Sequence, residues 1–145
     1  MKGTAMNVQD MRDLVERHLK AEGAGDIEGA VAVYTDDIEH DDVGMPGGVL
    51  RGKDAARDFY EFLTANFRMT GEKLNREYVA DNALIIDEIM TGNVVGSMLG
   101  LPGHDREISF RILHVFEFKD GLISRENVWL DGGAIVAQLS SPADH

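Results

Sequence analysis

The stretch Glu107-Ile108-Ser109-Phe110-Arg111-Ile112-Leu113-His114-Val115-Phe116-Glu117-Phe118-Lys119-Asp120-Gly121-Leu122-Ile123-Ser124-Arg125-Glu126-Asn127-Val128-Trp129-Leu130 decides the fold. From Glu107 to Lys119 apolar and polar residues alternate, the period-two pattern of a strand with one buried face. Asp120-Gly121 then offers two residues tolerant of positive φ where a type I′ turn needs them, so Leu122 to Leu130 is predicted to return antiparallel. On the apolar parity of the long strand one residue stands out, His114 between Ile112 and Phe116. A histidine there either meets a pocket or is buried with a partner.

Working back from this hairpin, Lys73 to Val79 and Leu84 to Thr91 also read as strands, joined by the turn Ala80-Asp81-Asn82-Ala83. Glu88 shares a parity with Leu84, Ile86 and Met90, as a pocket acid or as the salt partner of Arg111 or Arg106. Gly92, Gly96 and Gly100 lack phosphate-loop spacing and fit a flap beside a pocket mouth. Past the hairpin, Asp131-Gly132-Gly133 interrupts the strand, Ala134 to Leu139 forms a short helix, and Ser140 to His145 is expected to fray.

The N-terminal half is helical in period. Asn7 can cap a helix bearing Val8, Met11, Leu14, Val15 and Leu19, which ends near Gly23-Ala24-Gly25. Asp26 can cap a shorter one carrying Ile27, Ala30, Val31 and Tyr34. A short strand, Ile38 to Val43, and the loop Gly44-Met45-Pro46-Gly47-Gly48 precede a third helix from Lys53, whose stripe includes Phe59, Phe62, Leu63 and Phe67. Helices grouped ahead of antiparallel strands argue for an α+β fold, helices on one face of a sheet. Phe59, Phe62, Leu63, Phe110, Ile112, Phe116 and Trp129 are expected to contribute to one continuous core or cavity wall. No composition break divides residues 1–145, so one domain is expected, with an ordered core of about 8–139.

Composition narrows the function classes. An apolar fraction of 43% with 28% charged residues is ordinary for a globular domain. The net charge of −12 repels nucleic-acid phosphates and anionic membranes. No apolar run approaches the roughly 18 residues of a membrane span, and Met1 to Asp10 lacks the features of a signal peptide, so the cytoplasm is the expected compartment. Cysteine is absent, which removes disulfides, thiol catalysis and cysteine-based zinc sites.

Three segments carry a resemblance: Asp26-Ile27-Glu28-Gly29-Ala30 leading to Tyr34-Thr35-Asp36-Asp37-Ile38-Glu39-His40-Asp41, then Leu50-Arg51-Gly52-Lys53-Asp54-Ala55 with Phe59-Tyr60, then His114 to Ile123 with Trp129-Leu130-Asp131. Together, over about residues 8–139, they resemble the SnoaL-like polyketide cyclase family, within the nuclear transport factor 2-like superfamily that also holds the ketosteroid isomerases. The resemblance implies a barrel-like cone: a strongly curved antiparallel sheet wrapped around about three N-terminal helices, enclosing one pocket. It also implies a homodimer packed through the sheet's outer face, which would use Ser109, Arg111, Leu113 and Val115. Activity does not follow from the fold, because the superfamily holds cyclases, isomerases, dehydratases, epoxide hydrolases and members without chemistry.

Asp131 ends the last strand on the parity of Asn127 and Trp129, which places the three on one face. In the SnoaL-like cyclases an aspartate at the matching place moves a proton next to a carbonyl. Asp131 also stands just before a helix and could cap it, accepting backbone N–H bonds that make a carboxylate a weaker base. His40 and Asp42 alternate on the short strand and point the same way, as an acid/base couple or as part of the acidic rim of an edge strand. They lack a third ligand at metal spacing. Tyr34 and Tyr60 could donate to a ligand oxygen or simply pack, and His18 and His104 carry no recognisable signal.

Two function classes remain. One is a cofactor-free enzyme (cyclase, isomerase or dehydratase) acting by acid/base catalysis on a small, mostly apolar carbonyl compound. There Asp131 takes the proton, and His40 or His114 stabilises the enolate oxygen. The other is a non-catalytic pocket for an apolar metabolite, or a dimeric interaction module. Whether Asp131 faces a cavity discriminates between them.

Overall fold

The computed structural model describes residues 6–141; the ends of the chain, including the last four residues of the tail expected to fray, lie outside them. The Asn7 side chain accepts the Asp10 N–H at 2.8 Å and starts helix α1, Val8–Gly23. Asp26 caps α2, Ile27–Ala32, in the same way through Gly29 N. This second helix is shorter than its stripe suggests. The β-branched and aromatic run Val33-Tyr34-Thr35 favours an extended chain, so Tyr34 opens strand β1, Tyr34–Val43, instead of ending a helix. Strand β2, Val49–Arg51, and helix α3, Lys53–Asn66, follow. Then come β3, Phe67–Ala80; β4, Ala83–Val94; the small hairpin of β5, Ser97–Met98, and β6, Leu101–Pro102; β7, Arg106–Lys119; β8, Leu122–Leu130; and α4, Gly132–Ser140.

Six strands form one sheet in the order β2-β1-β8-β7-β4-β3. The sheet is mixed: β1 runs parallel to β8, every other pairing is antiparallel, and β2 and β3 are free edges. The fully antiparallel, barrel-like expectation is corrected in both respects. Strand β1 lies between β2 and β8, so its acidic residues are not an edge rim: Glu39 and Asp41 meet Arg125 of β8 at 2.7 and 3.2 Å.

The β7–β8 turn has the expected hand, with Asp120 at φ 55° and Gly121 at φ 77°. Its return strand holds an irregularity that alternation alone conceals. Phe118 pairs with Ile123 but Glu117 pairs with Arg125, leaving Ser124 as an extra residue. The bulge changes the inward parity of β8 from odd at Ile123 to even at Glu126 and Val128, both buried.

Two apolar clusters line the inner face of the sheet. One joins Met11, Val15 and Val31 of α1 and α2 to Ile38, Leu84, Ile86, Phe116 and Ile123. The other joins Phe67, Met90, Met98, Phe110, Ile112 and Val128 to Ile135 and Leu139 of α4. Leu63 packs against both. The single continuous wall is corrected at Trp129, which is opposite Leu113 and 43% exposed on the outer face; Phe62 stays outside both clusters, 56% exposed.

Candidate active site

Between the two clusters the apolar stripe of each central strand is broken by one charged or titratable residue. Glu88 interrupts β4, His114 β7, Glu126 β8 and His40 β1, and all four are buried. The register aligns them. Ile86 sits opposite His114 and Ile112 opposite Glu88; Phe116 sits opposite Glu126, which is itself opposite His40. The four residues therefore form a diagonal polar row across four neighbouring strands.

Glu126 is the hub. Its Oε1 lies 3.0 Å from His18 Nε2 and its Oε2 3.3 Å from His40 Nε2. Tyr34 Oη donates to Oε1 at 2.8 Å and stands 2.8 Å from Tyr60 Oη, which is 3.2 Å from His40 Nε2. His18 is fixed from behind, its Nδ1–H donating to the Ala30 carbonyl at 2.8 Å. At the open end of the row, His40 Nδ1 lies 2.9 Å from Asp42 Oδ2, an ionic contact outside hydrogen-bond geometry. His114 Nδ1 meets Glu88 Oε1 in the same manner at 3.2 Å.

Burial and charge compete here, and charge prevails. Burial by itself disfavours a charged imidazole, yet Glu126 and Asp42 raise His40 to about 10, so it carries a proton at neutral pH. His18 is raised against its burial mainly by Glu126, and His114 mainly by Glu88. Burial pushes the Glu126 carboxyl up, but His18 and His40 hold it well below the usual carboxylate range. Burial, then Glu126, pushes the Tyr34 and Tyr60 hydroxyls well above their usual range, so both remain donors.

The row opens onto space. A narrow chamber of about 60 Å³ is lined by Glu22, His40, Asp42, Tyr60, His114 and Glu126 together with apolar side chains such as Met90 and Ile112. Outside it lies a larger cavity of about 860 Å³ between the 44–48 loop, α3 and the β5–β6 hairpin, walled by Leu50, Phe59, Phe62, Leu63, Phe67, Met98 and Leu99 among others. Six residues line both spaces: Asp42, Met45, Phe59, Leu63, Phe67 and Met98. Asp42 is the one charged member of that ring.

The other candidates from the sequence lie elsewhere. Asp131 is exposed, lines neither cavity, and accepts the Ala134 N–H at 3.1 Å as the cap of α4. Asn127 faces outward, donating to the Val115 carbonyl and to Glu117. Trp129 shares that outer parity, so neither residue reaches the pocket, and the cause is the bulge at Ser124; of the two roles open to Asp131, the cap is the one the structure shows. Tyr34 is buried behind the chamber, whereas Tyr60 lines it. Glu88 pairs with neither expected arginine: Arg111 binds Asp87, and Arg106 binds the Gln138 and Ser141 carbonyls. Gly92 belongs to β4, where a Cβ would collide with the Phe67 ring, so it is no part of a flap.

Glu126, His18 and Glu22 were not candidates from the sequence. The signal for Glu126 is the five-residue step from Ile123 to Val128, which no uninterrupted alternation allows. His18 sits on the buried stripe of α1 one residue before Leu19, indistinguishable by pattern from a packing residue. Among the described residues no group of three or more His, Asp or Glu side chains is arranged to hold a metal ion, and no helix is long and apolar enough to cross a membrane.

Residues 15–126 match the family described as the SnoaL-like domain. No curated protein sequence matches the chain. Solved structures share its fold. TsrD from Streptomyces laurentii superposes with a TM-score of 0.80 at 21% identity, covering 94% of this chain and 99% of that one. A protein from Jannaschia sp. CCS1, provisionally assigned as a SnoaL-like polyketide cyclase, gives 0.82 at 18% identity, over 97% and 100% of the two chains. An LEH-like epoxide hydrolase from M. tuberculosis gives 0.71 at 19% identity, over 90% of each.

Proposed function

The chain belongs to the SnoaL-like domain family, and from that premise we propose that it is a cofactor-free acid/base enzyme, of the cyclase, isomerase or dehydratase type, acting on a small, mostly apolar carbonyl compound. One observation carries the reading: among the described residues Asp42 is the only charged one shared by the apolar outer cavity and the polar inner chamber, and its Oδ2 is buried without a hydrogen bond. A ligand body held in the outer cavity brings its reactive carbon against that carboxylate. Asp42 takes the proton from the carbon next to the carbonyl. His40, kept charged by Glu126, supplies an N–H to the oxygen that gains charge, while Tyr60, its own O–H committed to Tyr34, holds His40 from the chamber wall. The base assigned here is Asp42, in place of the exposed cap Asp131.

The homodimer implied by the family belongs to the same proposal. Leu113 and Val115, beside Trp129 and Val43, form an apolar strip on the outer face that a second copy would cover.

The test uses 2-tetralone in D₂O, with exchange at the carbons next to its carbonyl followed by proton NMR. The wild type is expected to accelerate exchange over buffer. Asp42→Asn is expected to slow it by roughly 10²–10⁴-fold, the usual contribution of a positioned general base. Asp131→Asn should retain full turnover, since asparagine also caps helices. Exchange in the Asp42→Asn variant at the wild-type rate would remove the proposal. Binding of tetralone without any acceleration would favour a non-catalytic pocket.

A further inference from the structure

The polar row does not end at the chamber. His114 lines the chamber, and its Nδ1 points the other way, 3.2 Å from Glu88 Oε1. Glu88 does not line the chamber; it lines a separate cleft of about 380 Å³ between α1 and the β3–β4 pair. Leu74 is opposite Glu88 and Glu72 is opposite Met90, so Glu72 and Glu88 are diagonal neighbours on one face. Glu72 lines the same cleft. The remaining charged residues of the cleft are committed to each other: Arg12 meets Glu77 at 2.6 Å and Lys20 meets Glu16 at 3.3 Å. Glu22 of α1 faces the row from the chamber side and contacts His18 at 3.7 Å.

We propose that His114, Glu88 and Glu72 form a proton relay joining the inner chamber to the solvent-filled cleft under α1, with Glu72 as its outer terminal. Imidazole suits the inner position because its two nitrogens can work in opposite directions. Nε2 takes a proton from the chamber while Nδ1, once a side-chain rotation aligns it across the 3.2 Å contact, gives its own to Glu88. Glu88, now a carboxylic acid, passes that proton to the Glu72 carboxylate, and Glu72 releases it to water. Each transfer breaks one N–H or O–H bond and forms another, and no electrons change hands. Partial burial and the charge of Glu88 raise the Glu72 carboxyl to about 7, which suits a group that trades protons with neutral water. The route has a use in the proposed chemistry, since a chamber behind an apolar ring is poorly placed to exchange a proton through its mouth. Its existence is independent of that use.

The test therefore needs no substrate. Solvent exchange of the histidine ring N–H protons is measured by NMR on the full ¹⁵N-histidine-labelled chain. Glu72→Gln is a near-isosteric change at an exposed position that leaves nothing able to accept the proton. It is expected to slow exchange at His114 by roughly 10²-fold, in line with loss of a positioned proton acceptor, and to leave His18 and His40 unchanged. Glu88→Gln should slow His114 in the same selective way. An unchanged His114 rate in Glu72→Gln overturns the relay. So does equal slowing of all three histidines, which reports global opening, or slowing by Glu22→Gln in place of Glu72→Gln. Failure of tetralone exchange would bear on the catalytic proposal and leave these rates standing.

Discussion

The two connected spaces of this protein are built on opposite principles. The outer cavity, about 860 Å³, is walled by aromatic and aliphatic side chains and carries two acidic residues, Asp42 and Asp58, and no cation among the described residues. The inner chamber, about 60 Å³, is far smaller, yet five titratable groups besides Tyr60 line it. A cavity of the outer kind binds by removing apolar surface from water and selects little beyond shape and charge. A chamber of the inner kind binds almost nothing by area, but holds fixed charges where water is scarce. The difference assigns affinity to one space and chemistry to the other. It also requires a ligand whose reactive group reaches past Met45, Phe59 and Leu63 while its body stays outside.

Removing the hub of the inner chamber tests that division most severely. Glu126→Ala leaves His18 and His40 without their shared carboxylate and Tyr34 without its acceptor. Breaking a buried charge pair from one side costs about 3–5 kcal/mol, so urea denaturation is expected to show a loss of that size. Glu126→Gln keeps the volume and one acceptor oxygen and should cost less. An alanine variant as stable as the wild type would mean that the chamber is dispensable to the fold, and the contrast with the apolar cavity would lose its energetic meaning.

The same charges set a pH profile. His40 is raised from 6.5 in the unfolded chain to about 10 in the fold, so its contribution to stability is fully present below pH 6.5 and is lost as pH rises towards 10. His18 and His114 are raised too and act in the same direction. Glu22 and Glu72 are carboxyls raised by burial first, so they also disfavour the fold as pH rises above their unfolded values. Glu126 is lowered; its contribution is present above about 4.5 and is lost as pH falls below it. Maximum stability is therefore expected between about pH 4.5 and 6.5, with the urea midpoint falling steadily from pH 6 to pH 9. In His40→Gln the alkaline decline should be shallower. A midpoint flat up to pH 9 would show that the row is not charged in the fold.

How much of this is legible in the sequence depends on what each residue's signal is made of. The α+β class, the β7–β8 hairpin and the inward pair His40 and Asp42 follow from alternation and turn chemistry, which are local. The parallel partner of β1 is set by a crossover through β2, α3 and five further strands, which no local pattern encodes. Asp131 and Glu126 show the boundary most clearly. Both are carboxylates near the end of one segment. Strict alternation from Trp129 carries Asp131 inward, yet the single extra residue Ser124 turns Glu126 inward and leaves Asp131 to cap α4. A bulge costs one residue of register and reverses every side chain beyond it. The networked role of His18 is likewise invisible, because its partners Ala30, Tyr34 and Glu126 are brought to it only by tertiary packing.

The smallest expected effect comes from the outer space and isolates binding from folding. Phe62 lines the large cavity, belongs to neither apolar cluster, and is 56% exposed. Truncation at such a position removes little surface that folding has buried, so Phe62→Ala should alter stability by no more than about 0.5 kcal/mol. A ligand occupying the cavity would cover the ring that water now touches. Losing that contact should weaken binding by about 1 kcal/mol, roughly a fivefold rise in Kd. Nile red is a suitable probe because it is apolar and uncharged, and the cavity offers no cation to hold an anionic dye. Fluorescence titration should therefore show a weaker Kd for Phe62→Ala while its urea midpoint stays with the wild type. The opposite result, an unchanged Kd with a clear loss of stability, would make Phe62 part of the folding core. The outer cavity would then be a packing defect of the fold, and the division between an affinity space and a chemical space would fail from its larger side.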